Sequence, residues 1–398
     1  MKEWKTYTLE EICTGKGTYG IGASAVAYDS SKYTYLRITD INDDGTLNKG
    51  ELKSVDDEEA YKYILQKNDI VFARTGNSTG RSYFYDGTDG ELVYAGFLIK
   101  FSLDPSKVNP RIMKYYTHSQ DYYDWVKSFD TGGTRGNINA KTYGLMPITL
   151  PPRGVQDKIV EVLKSIDEKI ELNKRINDNL EQQAQALYKS WFVDFEPFNE
   201  DEFVETEVGM VPRGWRIGNL LDVAELYDSK RKPLSGMQRS TMKKIYPYYG
   251  ATSIMDYVDN YIFDGTYLLM GEDGSVITDE GYPFLQYVSG KFWPNNHAHV
   301  MQGKNGFTTE MLHCFLLKKN ISEIVTGAVQ AKVSQGNMKK ISLAIAPNEI
   351  LSAFAQVLDG IYAKIRTIYY ENHQLETMRD TLLPKLMSGE LKINEIDC

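Results

Sequence analysis

A chain of 398 residues with 42% hydrophobic and 25% charged residues has ordinary globular composition and room for two or more cores. Its net charge of −9 argues against a protein that binds nucleic acid unaided, because phosphate neutralisation supplies most non-specific affinity and favours basic chains. No apolar run reaches the roughly 18 residues of a membrane span, and MKEWKTYTLE lacks the apolar stretch of a signal peptide, so a cytoplasmic location without membrane contact is expected.

Trp4 opens a stretch that runs to about Leu150 in short alternating segments broken by Gly and Asn/Asp turns. YTYLRITDI (33–41), DIVFARTG (69–76) and ELVYAGFLIKF (91–101) read as strands, and residues 1–151 are expected to form one mixed β-rich domain. Pro151 and Pro152 then break the last strand and suit the first turn of a helix. A seven-residue pattern follows within residues 152–198. Ile159, Ile166, Asn173, Leu180 and Leu187 hold one seam position, and Leu163, Ile170, Asn177, Ala184 and Trp191 hold the other. Such a narrow apolar stripe marks helices that pair along their length. Trp215 opens a second β-rich stretch, residues 199–346, which includes YIFDGTYLLMGEDG (261–274). Residues 347–398 return to the helical pattern. Phe354, Ile361, Ile368, Leu375 and Leu382 lie on one seam, with Leu358, Ile365, Asn372, Arg379 and Leu386 on the other.

The two helical regions are copies. Pro152–Leu187 aligns without gaps on Pro347–Leu382, pairing Val162 with Val357, Leu163 with Leu358, Ile166 with Ile361, Lys169 with Lys364 and Ile170 with Ile365. Asn177 matches Asn372, Leu180 matches Leu375, Glu181 matches Glu376 and Leu187 matches Leu382. A long internal repeat is a statement about architecture. The economical partner for each helix is its own copy. The expected fold is therefore α+β: two β-rich domains and two long helices paired as an antiparallel coiled coil with approximate twofold symmetry. Asn177 and Asn372 sit at the same seam position, either as polar residues tolerated near the end of a loose seam or as a register pin in which Asn faces Asn.

No catalytic constellation stands out. The sequence has no GxxxxGK[ST] phosphate loop, no GxGxxG opening a helix, no HExxH, and no Asn/Asp-Pro-Pro-aromatic motif of an amino-methylating enzyme. Asp44, Glu51 and Lys53 only loosely mimic a metal nuclease triad. Cys13, Cys314 and Cys398 are odd in number and scattered. His297 and His299 alternate as on a strand, upstream of His313 and Cys314; satisfied histidines are the expected reading, with no metal bound. What remains are polar loops suited to DNA. In the first domain these are Arg74, Thr75, Asn77 and Arg81, then Arg135, Asn137 and Asn139. In the second they are Lys230, Arg231, Lys232 and Lys244, then Tyr249, Thr252, Asn295, Asn296, His297, Gln330 and Lys332. Arg can make paired bonds to guanine and Asn to adenine, while Lys grips phosphate without reading sequence.

KIELNKRINDNLEQQAQALYKSWFVDFEPF (169–198), VGMVPRGW (208–215), LLPKLMSGEL (382–391) and YPYYGATSIMDYVDNYIFDGTYLLMGEDG (246–274) resemble the specificity subunit of Type I restriction-modification systems, over essentially the full length. The resemblance implies two target recognition domains, each reading half of a split site on double-stranded DNA, with the helices as ruler and docking surface. It implies two modification subunits as partners, which bind S-adenosylmethionine and methylate a flipped adenine. It further implies two restriction (motor-nuclease) subunits, with ATP and Mg on the partners and no cofactor on this non-catalytic chain. A self-contained methyltransferase or nuclease, and a coiled-coil adaptor that binds only proteins, are the competing readings.

Overall fold

The computed structural model describes residues 4–129, 136–198, 202–327 and 330–391. The chain forms two compact units: residues 1–171 with 373–398, and residues 172–372. The unit boundaries fall inside both helical regions, so each long helix contributes to both units.

In the first unit, Lys5–Thr8 pairs antiparallel with Pro147–Leu150, in the register Lys5↔Leu150. The strand after Trp4 thus closes on the strand before Pro151. Between them lie two four-stranded sheets. One runs in the order Thr18–Tyr19, Leu98–Ser102, Asp69–Ala73, Ser82–Tyr85; the other in the order Ala25–Val26, Lys53–Val55, Tyr33–Leu36, Leu92–Tyr94. Asp69–Ala73 is buried along its whole length, so Ile70–Ala73 is continuously apolar where an alternating strand is expected. Its Phe72 stacks on Tyr143, with ring centres 4.8 Å apart.

The second unit repeats the closure with different contents. Arg216–Asn219, just after Trp215, pairs antiparallel with Ser342–Ile345, just before Pro347. A six-stranded sheet fills the interval, in the order Ala224–Leu226, Ala298–Gly303, Phe263–Gly271, Leu285–Pro294, Tyr246–Tyr249, Ile254–Val258. All its pairings are antiparallel except that of Tyr246–Tyr249 with Leu285–Pro294.

The central helix spans Arg153–Phe192 and the distal helix Asn348–Ser388, each about 60 Å long at 1.5 Å per residue. Pro152 and Pro347 stand at equivalent starts, their carbonyls accepting the amides of Gln156 and Leu351. Gly389, at φ +75°, ends the distal helix in a left-handed conformation that a side chain would oppose. Among the described residues no helix is long and apolar enough to cross a membrane.

Within each unit the helices pair antiparallel. In the first, Ile159, Val160 and Leu163 share a core with Leu383, Leu386 and Met387, and Asp167 meets Arg379 at 3.5 Å. In the second, Tyr188 and Phe192 pack on Phe354, their ring centres 6.1 and 4.8 Å from its own. The seam departs from the expected heptads at several positions. Ile159, Leu163, Ile166, Ile170, Phe354, Leu358 and Ile365 are buried as expected. Leu180, Leu187, Ile361, Leu375 and Leu382 are only half-buried, while Tyr188, Phe192, Tyr362 and Leu383 take the central places. A straight helix of 3.6 residues per turn drifts about 20° per heptad, so a strict repeat slips by one position over five heptads.

The asparagines are corrected in the same way. Asn372 accepts from Asn173, not from Asn177, with Asn173 Nδ2 donating to Asn372 Oδ1 and to Glu371 Oε2, both at 2.8 Å. Asn177 is buried, and its Oδ1 has no hydrogen-bond partner.

Candidate nucleic-acid interface

In the first unit three loops meet around Arg74. Its amide donates to Phe97 O at 3.1 Å, and its carbonyl accepts from Ile138 N at 3.0 Å. Thr79 Oγ1 donates to Gly136 O at 3.1 Å, tying the 76–79 turn to the same loop. The Arg74 guanidinium lies over the rings of Tyr19 and Phe97, 5.1 and 5.9 Å from their centroids. Thr75 is half-buried; Asn77 and Asn137 are exposed. Asn139 is exposed but already committed, its Oδ1 capping the short helix Ala140–Gly144 through Thr142 N at 2.9 Å. Arg81 differs from a free base reader: its Nε is 2.6 Å from Asp43 Oδ1, and its Nη1 donates to Ile41 O at 3.1 Å. Arg135 lies outside the described residues.

In the second unit three of the named loops converge with the turn at 271–274. Arg231 is the hub, its side chain 11% exposed. It donates to Glu272 Oε2 at 2.7 Å and to Ala298 O at 2.5 Å, and it stands 3.7 Å from Asp228 Oδ2. Glu272 N donates to His297 O, Val333 N to Glu272 O, and Gly274 N to Ala331 O, so the 271–274, 295–299 and 330–333 segments are tied together. Arg231 is therefore framework and not a free reader. Asn295 is likewise buried, its Oδ1 accepting from His297 N at 2.7 Å. Lys244 is held by Asp256 at 2.8 Å and by Arg239 O at 2.9 Å. Around this framework Lys230, Lys232, Thr252, Asn296, Gln330 and Lys332 are exposed. Lys230 Nζ sits 4.8 Å from the Tyr227 ring centroid, and Lys332 Nζ lies 3.5 Å from Glu272. Tyr249 is half-buried edge-on against Phe292, and the half-buried His297 bonds Asp273 through Nδ1.

Beneath the loops lies a satisfied ionic cluster. His299 Nδ1 is 2.6 Å from Asp228 Oδ2, and its Nε2 is 2.8 Å from Val333 O. Both nitrogens thus lie within hydrogen-bond distance of oxygen atoms. Burial raises the pKa of Asp228. Bonds from His299, Val300 N and Gln335 outweigh that and hold it below its ordinary value. Asp228, Glu272 and His299 offer ligand atoms within 4.8 Å of one another. Arg231 occupies the position of a cation, however, against both carboxylates. His313 is a core residue bonded to Tyr362 Oη at 2.8 Å, and burial pushes its pKa down to about 4. Asp44 serves a turn, accepting from Thr46 N and Oγ1.

Sequence reasoning missed Tyr19 and Phe97, which are 42% and 55% exposed. Their signal was slight: Tyr19 precedes Gly20 and Phe97 follows Gly96. A Cβ on Gly20 would lie 2.2 Å from Tyr94 O, so only glycine lets the two backbones come this close and set the rings side by side.

Two β-rich units, each gathering polar loops and each carrying an antiparallel helix pair, have the build of a two-part specificity protein. The chain belongs to the Type I restriction modification DNA specificity domain family, which residues 1–182 and 212–377 match. It is similar to the Type I restriction enzyme HindI specificity subunit of Haemophilus influenzae, with 22% identity over 98% of this chain and 100% of that one. A second Haemophilus influenzae specificity subunit, S.HindORF215P, is 34% identical over 142 residues; that match spans about a third of either protein, 36% of each. The fold is also that of the Type I restriction-modification S subunit from M. genitalium, with a TM-score of 0.52 and 15% identity over 96% of both chains.

Proposed function

We propose that this chain is the DNA-reading subunit of a Type I restriction-modification complex, each unit reading one half of a bipartite, asymmetric site. The observation that supports this most directly is that the family match covers both units, while the units are built on different sheets, two four-stranded in the first and one six-stranded in the second. Two unlike readers on one chain define an asymmetric target. Two modification subunits, docked on the helices, supply S-adenosylmethionine and adenine methylation, and two restriction subunits complete the nuclease with ATP and Mg. The chain itself does no chemistry in this reading.

The acidic balance fits this division of labour. With a net charge of −9, the chain relies on partners for much of the phosphate contact. Sequencing methylated adenines in cells with and without this gene tests the reading. A split motif that disappears with the gene supports it, and an unchanged methylome removes it. Purified chain incubated with DNA and S-adenosylmethionine, without partners, is expected to transfer no methyl group.

A further inference from the structure

The arginines that meet a carboxylate in this chain include Arg37, Arg81, Arg111, Arg153, Arg231 and Arg366. Arg74 does not: among the described residues no carboxylate or carbonyl accepts from its guanidinium. Its Nε is buried without a partner, which leaves the Nη pair as its remaining donors. The group is nevertheless held in place. Tyr19 and Phe97 flank it, and the Tyr19 ring is fixed through its hydroxyl, which accepts Ala140 N at 3.1 Å. A cation stacked on aromatic faces keeps its charge, loses its freedom and presents its donors in one direction.

From this geometry we infer that Tyr19, Arg74 and Phe97 form a guanine-reading site in the half-site recognised by the first unit. The inference rests on the DNA-reading function proposed above and names the base that this surface selects. Guanine is the base whose major-groove edge carries two adjacent acceptors, N7 and O6, which match two parallel N–H donors. A phosphate grip needs no such immobilisation, because lysines on flexible stems serve it. The two exposed rings exclude water from the cation and position it; the arginine alone reads.

The test uses the full chain assembled with its modification subunits and the duplex that the wild type selects. Each guanine of that duplex is replaced in turn by 7-deazaguanine, which lacks the N7 acceptor. One replacement, in the half-site of the first unit, is expected to weaken wild-type binding about 10- to 100-fold. The same replacement should have no further effect on the Arg74→Ala variant. Arg74→Lys, which keeps the charge, should lose the discrimination as well, and Tyr19→Ala and Phe97→Ala should each reduce it. Thermal melts of each variant report whether the fold is retained, and the lysine variant carries the test should the alanine variant unfold. The site is overturned if no deaza position couples to Arg74, or if a neutral methylphosphonate at one phosphate abolishes the effect of Arg74→Ala. A wild type that selects no sequence would instead remove the proposed function.

Discussion

Asn173 and Asn177 are four residues apart on one helix face, both buried, and only one is satisfied. The repeat explains the asymmetry. Asn173 meets Asn372, the copy of Asn177; by the same symmetry Asn177 should meet the copy of Asn173, which is Ile368. Isoleucine has nothing to donate, and the amide oxygen stays unpaired. Asn177→Leu is therefore expected to raise stability by about 1–3 kcal/mol, whereas Asn173→Leu should lower it by a similar amount, both measured by urea unfolding. The 230–232 triplet divides as sharply. Lys230→Ala should leave stability within about 0.5 kcal/mol of wild type and flatten the salt dependence of DNA binding by about one unit. Arg231→Ala removes the hydrogen-bonded cation from the mostly buried Glu272 and should cost about 3–5 kcal/mol of stability. At acidic pH, Asp228 supplies a further check. Its pKa is lowered in the fold, so its contribution is full above the ordinary value of 3.8 and disappears as pH falls through the lowered one. Urea midpoints between pH 5 and 2 should fall less steeply for Asp228→Asn. Which loops carry polar groups was legible in the residue types. Which of those groups are free was not, because Arg231, Asn295 and Lys244 are claimed by partners elsewhere in the chain, namely Glu272, Met255 and Asp256.

At the scale of elements, the helices were the most legible part. Proline starts, a seven-residue stripe and a repeat placed them within 152–198 and 347–398; they run Arg153–Phe192 and Asn348–Ser388. The places where the pattern erred share one physical cause. A heptad assumes 3.5 residues per turn, and the half-buried Leu187 and Leu382 show where real geometry hands the seam to Tyr188 and Leu383. The strands were legible only as short alternating runs. The pairing of Tyr33–Leu36 with Leu92–Tyr94 joins residues nearly sixty positions apart, and no local pattern announces such partners. If the helices set the interval between half-sites, inserting one heptad into each, at Lys169 and at Lys364, should lengthen the unspecified spacer of the methylated motif and leave both half-sites unchanged. An altered half-site with the old spacer would contradict a ruler.

On the scale of the whole molecule, each β-rich stretch enters and leaves through one antiparallel strand pair, Lys5–Thr8 with Pro147–Leu150 and Arg216–Asn219 with Ser342–Ile345. Termini brought together at a single doorway make a segment easy to lift out without tearing the core. Replacing either stretch whole is accordingly expected to leave the helices folded, as circular dichroism of the exchanged chain would report. A recombination event between the Trp and the Pro that bracket either one would carry a new half-specificity into an old frame, changing the word half at a time without rebuilding the grammar.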